Sequence, residues 1–378
     1  MEIESNSMKK IGILTLVSAD NCGSLLQAFA IRYAIRVMLK KDGELVPFFP
    51  KNATKMYRFM HLSYIKGLKN FFNFIKFYSF LKSQKTGYNN FRKDQLGLKT
   101  QNIKKESQLN VYCSQFDELV VGSDQVWNTR MFDFSPAYFA SFFKGIKVSY
   151  AASLGGNERV EVPDALAAYK EQIEQFKDIS VREPQGQEIL SKFINKRIEV
   201  SVDPTLLIPT SVWDNIVEKR LVRGNYIFFY SYNYGDASIN NMMSVISKKL
   251  NLPVYVINAS RWIDKDINDY GFILEKEGGP LAFLSLMKYA KYAFVQSLHG
   301  SIFAYIFKRN LWFINSREND VLDLRSENIL NLLQIRQRVI RTNDYNDKDL
   351  AAPIVWKENK VLDQERQKSF SYLKKTLN

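Results

Sequence analysis

One repeated unit constrains this chain more than any other feature. It is a short β-rich apolar run, then a turn of small or polar residues, then apolar residues at helical spacing. The first copy is a strand Ile11 to Val17, a turn Ser18 to Ser24 and a helix from about Leu25 to Leu39. Within that helix Leu26, Phe29, Ala30, Tyr33 and Val37 recur near the period of one helical turn. A strand Glu44 to Phe49 follows and is ended by Pro50. Strands alternating with helices of this size predict parallel sheets with helices on both faces.

The pattern resumes at Leu119 and runs through a strand Lys147 to Ser153, a helix Asp164 to Phe176, a strand Asp178 to Val181, a helix Gln185 to Ile194 and a strand Ile198 to Val202. Pro204 and Pro209 bracket a linker. A second series begins at strand Tyr226 to Tyr230. It continues through helix Ser238 to Leu250, strand Val254 to Asn258, helix Pro280 to Tyr289, strand Tyr292 to Gln296, helix Ser301 to Phe307 and strand Leu311 to Ile314. The chain has 378 residues, a length for two domains rather than one. The expected fold class is therefore α/β, with two doubly wound Rossmann-like domains facing a cleft. The expected boundaries are 8–205 for the first domain, with a basic insert at 51–110, 206–345 for the second, and a helical tail at 346–378.

The charge is concentrated in that insert. Residues 51–105 hold thirteen Lys or Arg and a single acid, Asp94, out of a net charge of +14 for the whole chain. From Ile65 to Tyr78, the side chains of Ile65, Leu68, Phe71, Phe72, Ile75 and Tyr78 share one helical face. Lys66, Lys69, Asn73 and Lys76 share the opposite one. Such a helix either docks on its own domain or lies on an anionic membrane surface. Nucleic acid fits less well, because its grooves need aromatics interleaved with the cations. Met1 to Lys10 holds no apolar stretch, so no signal peptide is expected, and no run reaches the roughly 20 residues of a membrane span. Two cysteines, Cys22 and Cys113, fit a reducing compartment, and with only His61 and His299 beside them no zinc site is expected.

The chemistry-bearing residues fall where strands end. His299 follows a buried strand and opens a helix, the edge at which open α/β sheets bind ligands. Imidazole exchanges protons near neutrality. Gly300 and Ser301 put free backbone N–H groups at a helix start, suited to a phosphate or carboxylate, and Ser297 and Leu298 beside them complete the expected donor-binding set. Arg182 ends another strand and could clamp an anion, or pair with Glu183. Asn21, Gly23 and Ser24 form a small-residue turn that either binds an acceptor or an anion or simply caps its helix. No dinucleotide or P-loop fingerprint is present, so no nucleotide is implied by motif. Asp124, Gln125 and Trp127 could line a sugar, against core packing for Trp127. Asp203, before Pro204, reads chiefly as a turn former.

Six blocks together carry a family resemblance. They are Ile11–Leu16 with Asn21–Ala28, Val121–Asn128, Ser149–Ser153, Ile179–Glu183, Val202–Leu206 and Phe294–Gly300. In these blocks the chain resembles the polysaccharide pyruvyl transferase family. The resemblance implies a glycosyltransferase-B-type architecture and a reaction that builds a pyruvate ketal on a hexose from phosphoenolpyruvate, with no cofactor. It implies that Arg182 binds the donor anion and that His299 is the catalytic acid or base. Relatives often carry Arg where this chain has Ser297, so donor binding would lean on Arg182, the Gly300–Ser301 helix start and a base such as Arg261 or Lys308. Acceptor contacts are expected from Asn21, Gly23, Ser24, Asp124, Gln125 and Trp127. A polyprenyl-pyrophosphate-linked acceptor would give the basic segment, with Lys66, Lys69 and Lys76, an anionic membrane as partner. The expected place is then cytoplasmic, peripheral on the inner face of the membrane. Rival readings are a nucleotide-sugar-dependent glycosyltransferase and a non-catalytic glycan- or lipid-binding scaffold.

Overall fold

The computed structural model describes residues 9–59, 68–98, 102–156, 161–217, 219–231, 234–258, 270–316 and 321–377. Two parallel sheets organise it. In the first, β1 (Lys10–Leu14), β2 (Asp42–Leu45), β3 (Glu118–Val121) and β4 (Ile146–Ser149) lie in the order β2-β1-β3-β4. Single parallel bridges, Val148 to Asp178 and Ala152 to Val181, join β4 to a further pair, β5 (Ile179–Val181) and β6 (Ile198–Val200). The second sheet holds β7 (Ile227–Tyr230), β8 (Val254–Val256), β9 (Ile273–Leu274), β10 (Tyr292–Val295), β11 (Asn310–Ile314) and β12 (Val339–Ile340), in the order β12-β11-β10-β7-β8-β9. The central strands β3 and β10 are buried throughout, as parallel strands covered on both faces must be.

The helices that place the site are α1 (Cys22–Tyr33), α2 (Leu68–Asn90), α3 (Pro184–Ser191), α4 (Pro204–Leu207), α5 (Ala237–Leu250), α6 (Pro280–Tyr289), α7 (Leu298–Ile306), α8 (Leu324–Leu332) and α9 (Lys360–Thr376). Their starts follow local rules. Asn21, Asp203, Asp236, Ser297, Asp323 and Asn359 each cap a helix with a side-chain oxygen. One hydrophobic cluster runs through both halves: Leu25 and Ile31 of α1 share it with Trp213, Phe283, Ile302 and Leu373. The tail helix α9 crosses back to the first domain. Tyr372 donates to the Ser149 carbonyl, Ser369 Oγ accepts from the Val202 amide, and Arg366 donates to the Leu206 carbonyl.

The basic insert differs from its sequence reading. Ile65 and Lys66 lie outside the described residues. The helix, expected to end near Tyr78, runs on to Asn90. It docks through Phe77, Leu81 and Tyr88, which are buried, while Leu68, Phe71, Phe72, Ile75 and Tyr78 stay exposed. Docking is close at Gly87: a Cβ there would fall 1.9 Å from the Gly278 carbonyl oxygen, so only glycine fits the crossing. A π-helical turn, Phe91–Gln95, then brings Arg92 under the β1–α1 loop. Buried Arg92 donates to the carbonyls of Val17, Ser18 and Ala19 and to the Asp20 carboxylate, and Lys85 binds the same carboxylate. The insert thus fixes the loop that leads into α1.

Candidate active site

The carboxyl edges of the two sheets meet around Asp203. This residue follows β6, and its Oδ1 accepts from the amide and the hydroxyl of Thr205, at 3.0 and 2.6 Å. Those bonds cap α4 and leave Oδ2 turned to the second domain. Oδ2 accepts from an Arg182 terminal nitrogen at 2.9 Å and lies 3.3 Å from His299 Nε2. The imidazole contact is too oblique for a full hydrogen bond, but it is an ion-pair distance between side chains that are 13% and 1% exposed. Arg182 also donates through Nε to Glu183 Oε1 at 2.8 Å, and Ser153 Oγ donates to that same oxygen.

Charges this deep must be mutually compensated, because an isolated one costs several kcal/mol after relaxation. Burial alone would raise the Asp203 carboxyl. The His299 imidazole, the Arg182 guanidinium and the Thr205 hydroxyl overcome it and hold the group well below the usual carboxylate range. For Arg182, burial works against the cation, and Glu183, Asp203 and Asp124 outweigh burial and push it further up. The guanidinium expected to clamp a donor is therefore already held by two carboxylates of its own domain. Among its two sequence readings, the pairing with Glu183 is present.

His299 is held from the first domain as well. Gly23, in the first turn of α1, packs so tightly on the ring that a Cβ there would lie 2.1 Å from Nδ1. Asn21 accepts from the Ser24 amide and caps that helix. On the His299 side, the expectation of free N–H groups at Gly300 and Ser301 is corrected. The Gly300 N–H goes to Ser297 Oγ and the Ser301 N–H to the Ser297 carbonyl, so Ser297 serves as the cap. Only the first two amides of α7, on Leu298 and His299, lie ahead of the capped position. Lys308 is also corrected as a donor contact. It sits past the far end of α7, roughly 13 Å along the axis, with Nζ 3.8 Å from the Tyr305 ring centroid. Arg261 lies outside the described residues.

The loop after β3 brings Asp124 within electrostatic reach of Arg182. Gly122 approaches β4 so closely that a Cβ would meet the Tyr150 carbonyl oxygen at 2.3 Å. Asp124 then takes the left-handed region at φ 66°, which aspartate tolerates better than most residues. Its Oδ1 accepts from the Gln125 amide, and the Gln125 side chain binds Asn128. Among the described residues, the buried Asp124 Oδ2, Glu183 Oε2, Ser123 Oγ and Tyr138 hydroxyl meet no hydrogen-bond partner. Buried polar groups are rarely left so. Trp127 is corrected: it is 1% exposed, donates to the Tyr138 carbonyl and packs on Phe139 and Phe176, so it is core and not a sugar platform.

A pocket of about 190 Å³ opens beside this network between the domains, walled by Arg182, Asp203, Leu298, Arg325, Ile329 and Glu365 among others. His299 does not line that pocket. The sequence reading missed Arg325 and the hub role of Asp203. The signal for Asp203 was its position: it follows a strand of the same sheet edge as Arg182. Among the described residues no group of His, Cys, Asp and Glu is arranged to hold a metal ion.

The polysaccharide pyruvyl transferase family profile matches residues 21–318 of the chain, a span containing every residue of this network. The chain belongs to that family. No curated protein matches it closely enough to refine the assignment. Its fold is shared with UDP-GlcNAc 2-epimerases. That of Methanocaldococcus jannaschii superposes with a TM-score of 0.55 at 12% identity, covering 96% of this chain and 99% of that one. A putative enzyme of the same type from Listeria monocytogenes gives 0.52 at 9%, covering 96% and 91%. The Neisseria meningitidis enzyme gives 0.51 at 12%, covering 97% and 100%. At these identities the likeness shows the fold, two Rossmann-like domains of the glycosyltransferase-B type. This polysaccharide pyruvyl transferase family member thus places its one described histidine between the two halves.

Proposed function

We propose that the protein transfers the three-carbon unit of phosphoenolpyruvate to two hydroxyls of one hexose, forming a cyclic pyruvate ketal on a surface polysaccharide or its polyprenyl-pyrophosphate-linked precursor. The observation that carries this reading is the His299–Asp203–Arg182 network, set between the sheets of a chain that belongs to the family.

The chemistry needs a proton for C3, a base for the attacking hydroxyl and compensation for the donor's negative charge. Asp203, 3.3 Å from Nε2, orients the His299 ring, and Nε2, which makes no full hydrogen bond in this structure, is the nitrogen that exchanges a proton. Delivering that proton to C3 turns the methylene into a methyl and makes C2 electrophilic. A sugar hydroxyl adds to C2 and gives up its proton to Asp124 Oδ2, and exchange with solvent afterwards deprotonates Asp124 and reprotonates His299. Phosphate then leaves from C2, carrying the electron pair of the C–O bond. The second hydroxyl adds, and its proton leaves with the phosphate. One phosphoenolpyruvate and one diol thus give one ketal and one phosphate. The Leu298 and His299 amides, with the edge of Arg182 not spent on its carboxylates, hold the donor anion.

The test is to incubate the purified protein with phosphoenolpyruvate and a panel of galactosides, mannosides and glucosamine derivatives, free and lipid-linked. A mass gain of one pyruvate less one water, with equimolar phosphate, is expected. His299→Ala should lower turnover by roughly 10² or more. An unchanged rate in that variant would remove His299 from the chemistry. The fold likeness to UDP-GlcNAc 2-epimerases motivates a second reading, a nucleotide-sugar-dependent transferase. Thermal stabilisation by a uridine nucleotide, with none by phosphoenolpyruvate, would favour it.

A further inference from the structure

Among the described residues, large apolar side chains exposed on the surface are mostly single, with one exception. Leu68, Phe71, Phe72, Ile75 and Tyr78 are 78%, 43%, 63%, 56% and 44% exposed, all within the first half of α2. At about 100° per residue they fall on one face of that helix. The buried Phe77, Leu81 and Tyr88 fall on the opposite face, seated on the second domain and on Cys22. The stripe is therefore not a core face awaiting its own domain; α2 has already used its other side for that. Contiguous exposed apolar surface of this kind marks a contact.

We infer that this stripe inserts into the headgroup region of an anionic lipid bilayer. The charge pattern selects that occupant. Helix α2 carries Lys69, Lys76 and Lys82, besides Lys85, which is bound to Asp20, and no acid, within a segment of thirteen basic residues to one acid. A second copy of this chain would bring two such segments together and meet like-charge repulsion. A single-stranded nucleic acid would need its stacking platforms among the cations, whereas these aromatics form a stripe of their own. An apolar stripe flanked by lysines is what an interfacial helix presents to acidic lipid. The placement connects to the site. From Tyr78 to Tyr88 the helix advances roughly 15 Å. There the Tyr88 hydroxyl meets Cys22 Sγ at 3.3 Å, in the same turn of α1 that packs on His299. A membrane-seated stripe would thus hold the cleft close to the bilayer. The surface claim stands on the stripe and its charge and does not depend on the reaction.

The full chain is floated on a density gradient with vesicles of phosphatidylcholine alone or with added phosphatidylglycerol. Binding to the anionic vesicles is expected, at least tenfold above the neutral ones and falling steeply as salt is raised to about 0.5 M. Phe72→Ser with Ile75→Ser should lower the bound fraction at least tenfold. Both residues are more than half exposed, so the melting temperature of this variant should stay at the wild-type value. Lys69→Glu with Lys76→Glu should weaken binding without touching the stripe. No binding to either vesicle, or equal binding by the serine variant, would overturn the proposal. So would a dimer in size-exclusion chromatography that the serine substitutions convert to monomer, since that would assign the stripe to a second copy.

Discussion

Gly23 and His299 pack against one another across the two domains, with no space between the α1 backbone and the imidazole Nδ1. The missing Cβ is what permits this, since any side chain at residue 23 would overlap the ring. Gly23→Ala should therefore push the imidazole off Asp203. Alanine is a better helix former than glycine by up to about 1 kcal/mol, so the fold should survive. The expected outcome is a loss of turnover of about 10²-fold, as for an ångström-scale misplacement of a reacting group. Steady-state kinetics beside a thermal melt checks it. Full activity with an unchanged melt would show that the contact does not set the ring.

Asp203 ties His299 and Arg182 together, and its protonation carries a stability signature. Its folded carboxyl lies below the unfolded value of about 3.9. Between those values the unfolded chain holds the extra proton, so stability rises with pH there. The contribution is complete above about pH 4 and is lost as pH falls through the folded value. Asp203→Asn keeps the shape and removes the charge, leaving Arg182 with Glu183 and the field of Asp124. It should cost about 3 kcal/mol at neutral pH. Melting curves of the two proteins should be well separated above pH 5 and converge as pH falls below about 4. Curves that stay parallel over that range would mean the charge contributes nothing.

Trp127 separates a sugar platform from a core side chain. It is buried and bonded to the Tyr138 carbonyl. Trp127→Phe leaves that carbonyl unpaired and a small void, at a cost of about 1–3 kcal/mol. The acceptor KM should not change. A large rise in acceptor KM with stability intact would return Trp127 to the binding surface.

The alternation of strands and helices was readable because parallel strands buried on both faces are continuous apolar runs, as in Leu119–Val121 and Phe294–Val295. That His299 and Arg182 sit just past the ends of such runs was also readable. Three things were not readable, each for a physical reason. The second half of α2 is polar and contains Gly87, so its helical continuation past Tyr78 was not assigned, and the crossing at Gly278 and Gly279 explains the glycine. Asp203 caps α4 with one oxygen, which is all a local pattern shows, and reaches His299 with the other only once the domains are assembled. The exposed stripe of α2 has the periodicity of a core face, and periodicity cannot say which of two apolar faces is buried.

Asp124 is assigned to the acceptor hydroxyl because it combines two observations. Its backbone is held in the left-handed region at φ 66°, and its Oδ2 is buried without a partner among the described residues. A conformation so restricted fixes the carboxylate at the end of β3, with one oxygen left for an acceptor hydroxyl. Asp124→Asn preserves both the shape and the left-handed backbone, which asparagine also tolerates. It removes only the basicity. Turnover should fall by roughly 10² or more, while stabilisation of the protein by phosphoenolpyruvate is retained, because the proposed donor contacts lie on α7 and Arg182. Measuring both on one preparation separates the roles. Loss of phosphoenolpyruvate stabilisation together with turnover would place Asp124 in the donor site, and full turnover would pass the base role to a neighbour such as Glu183.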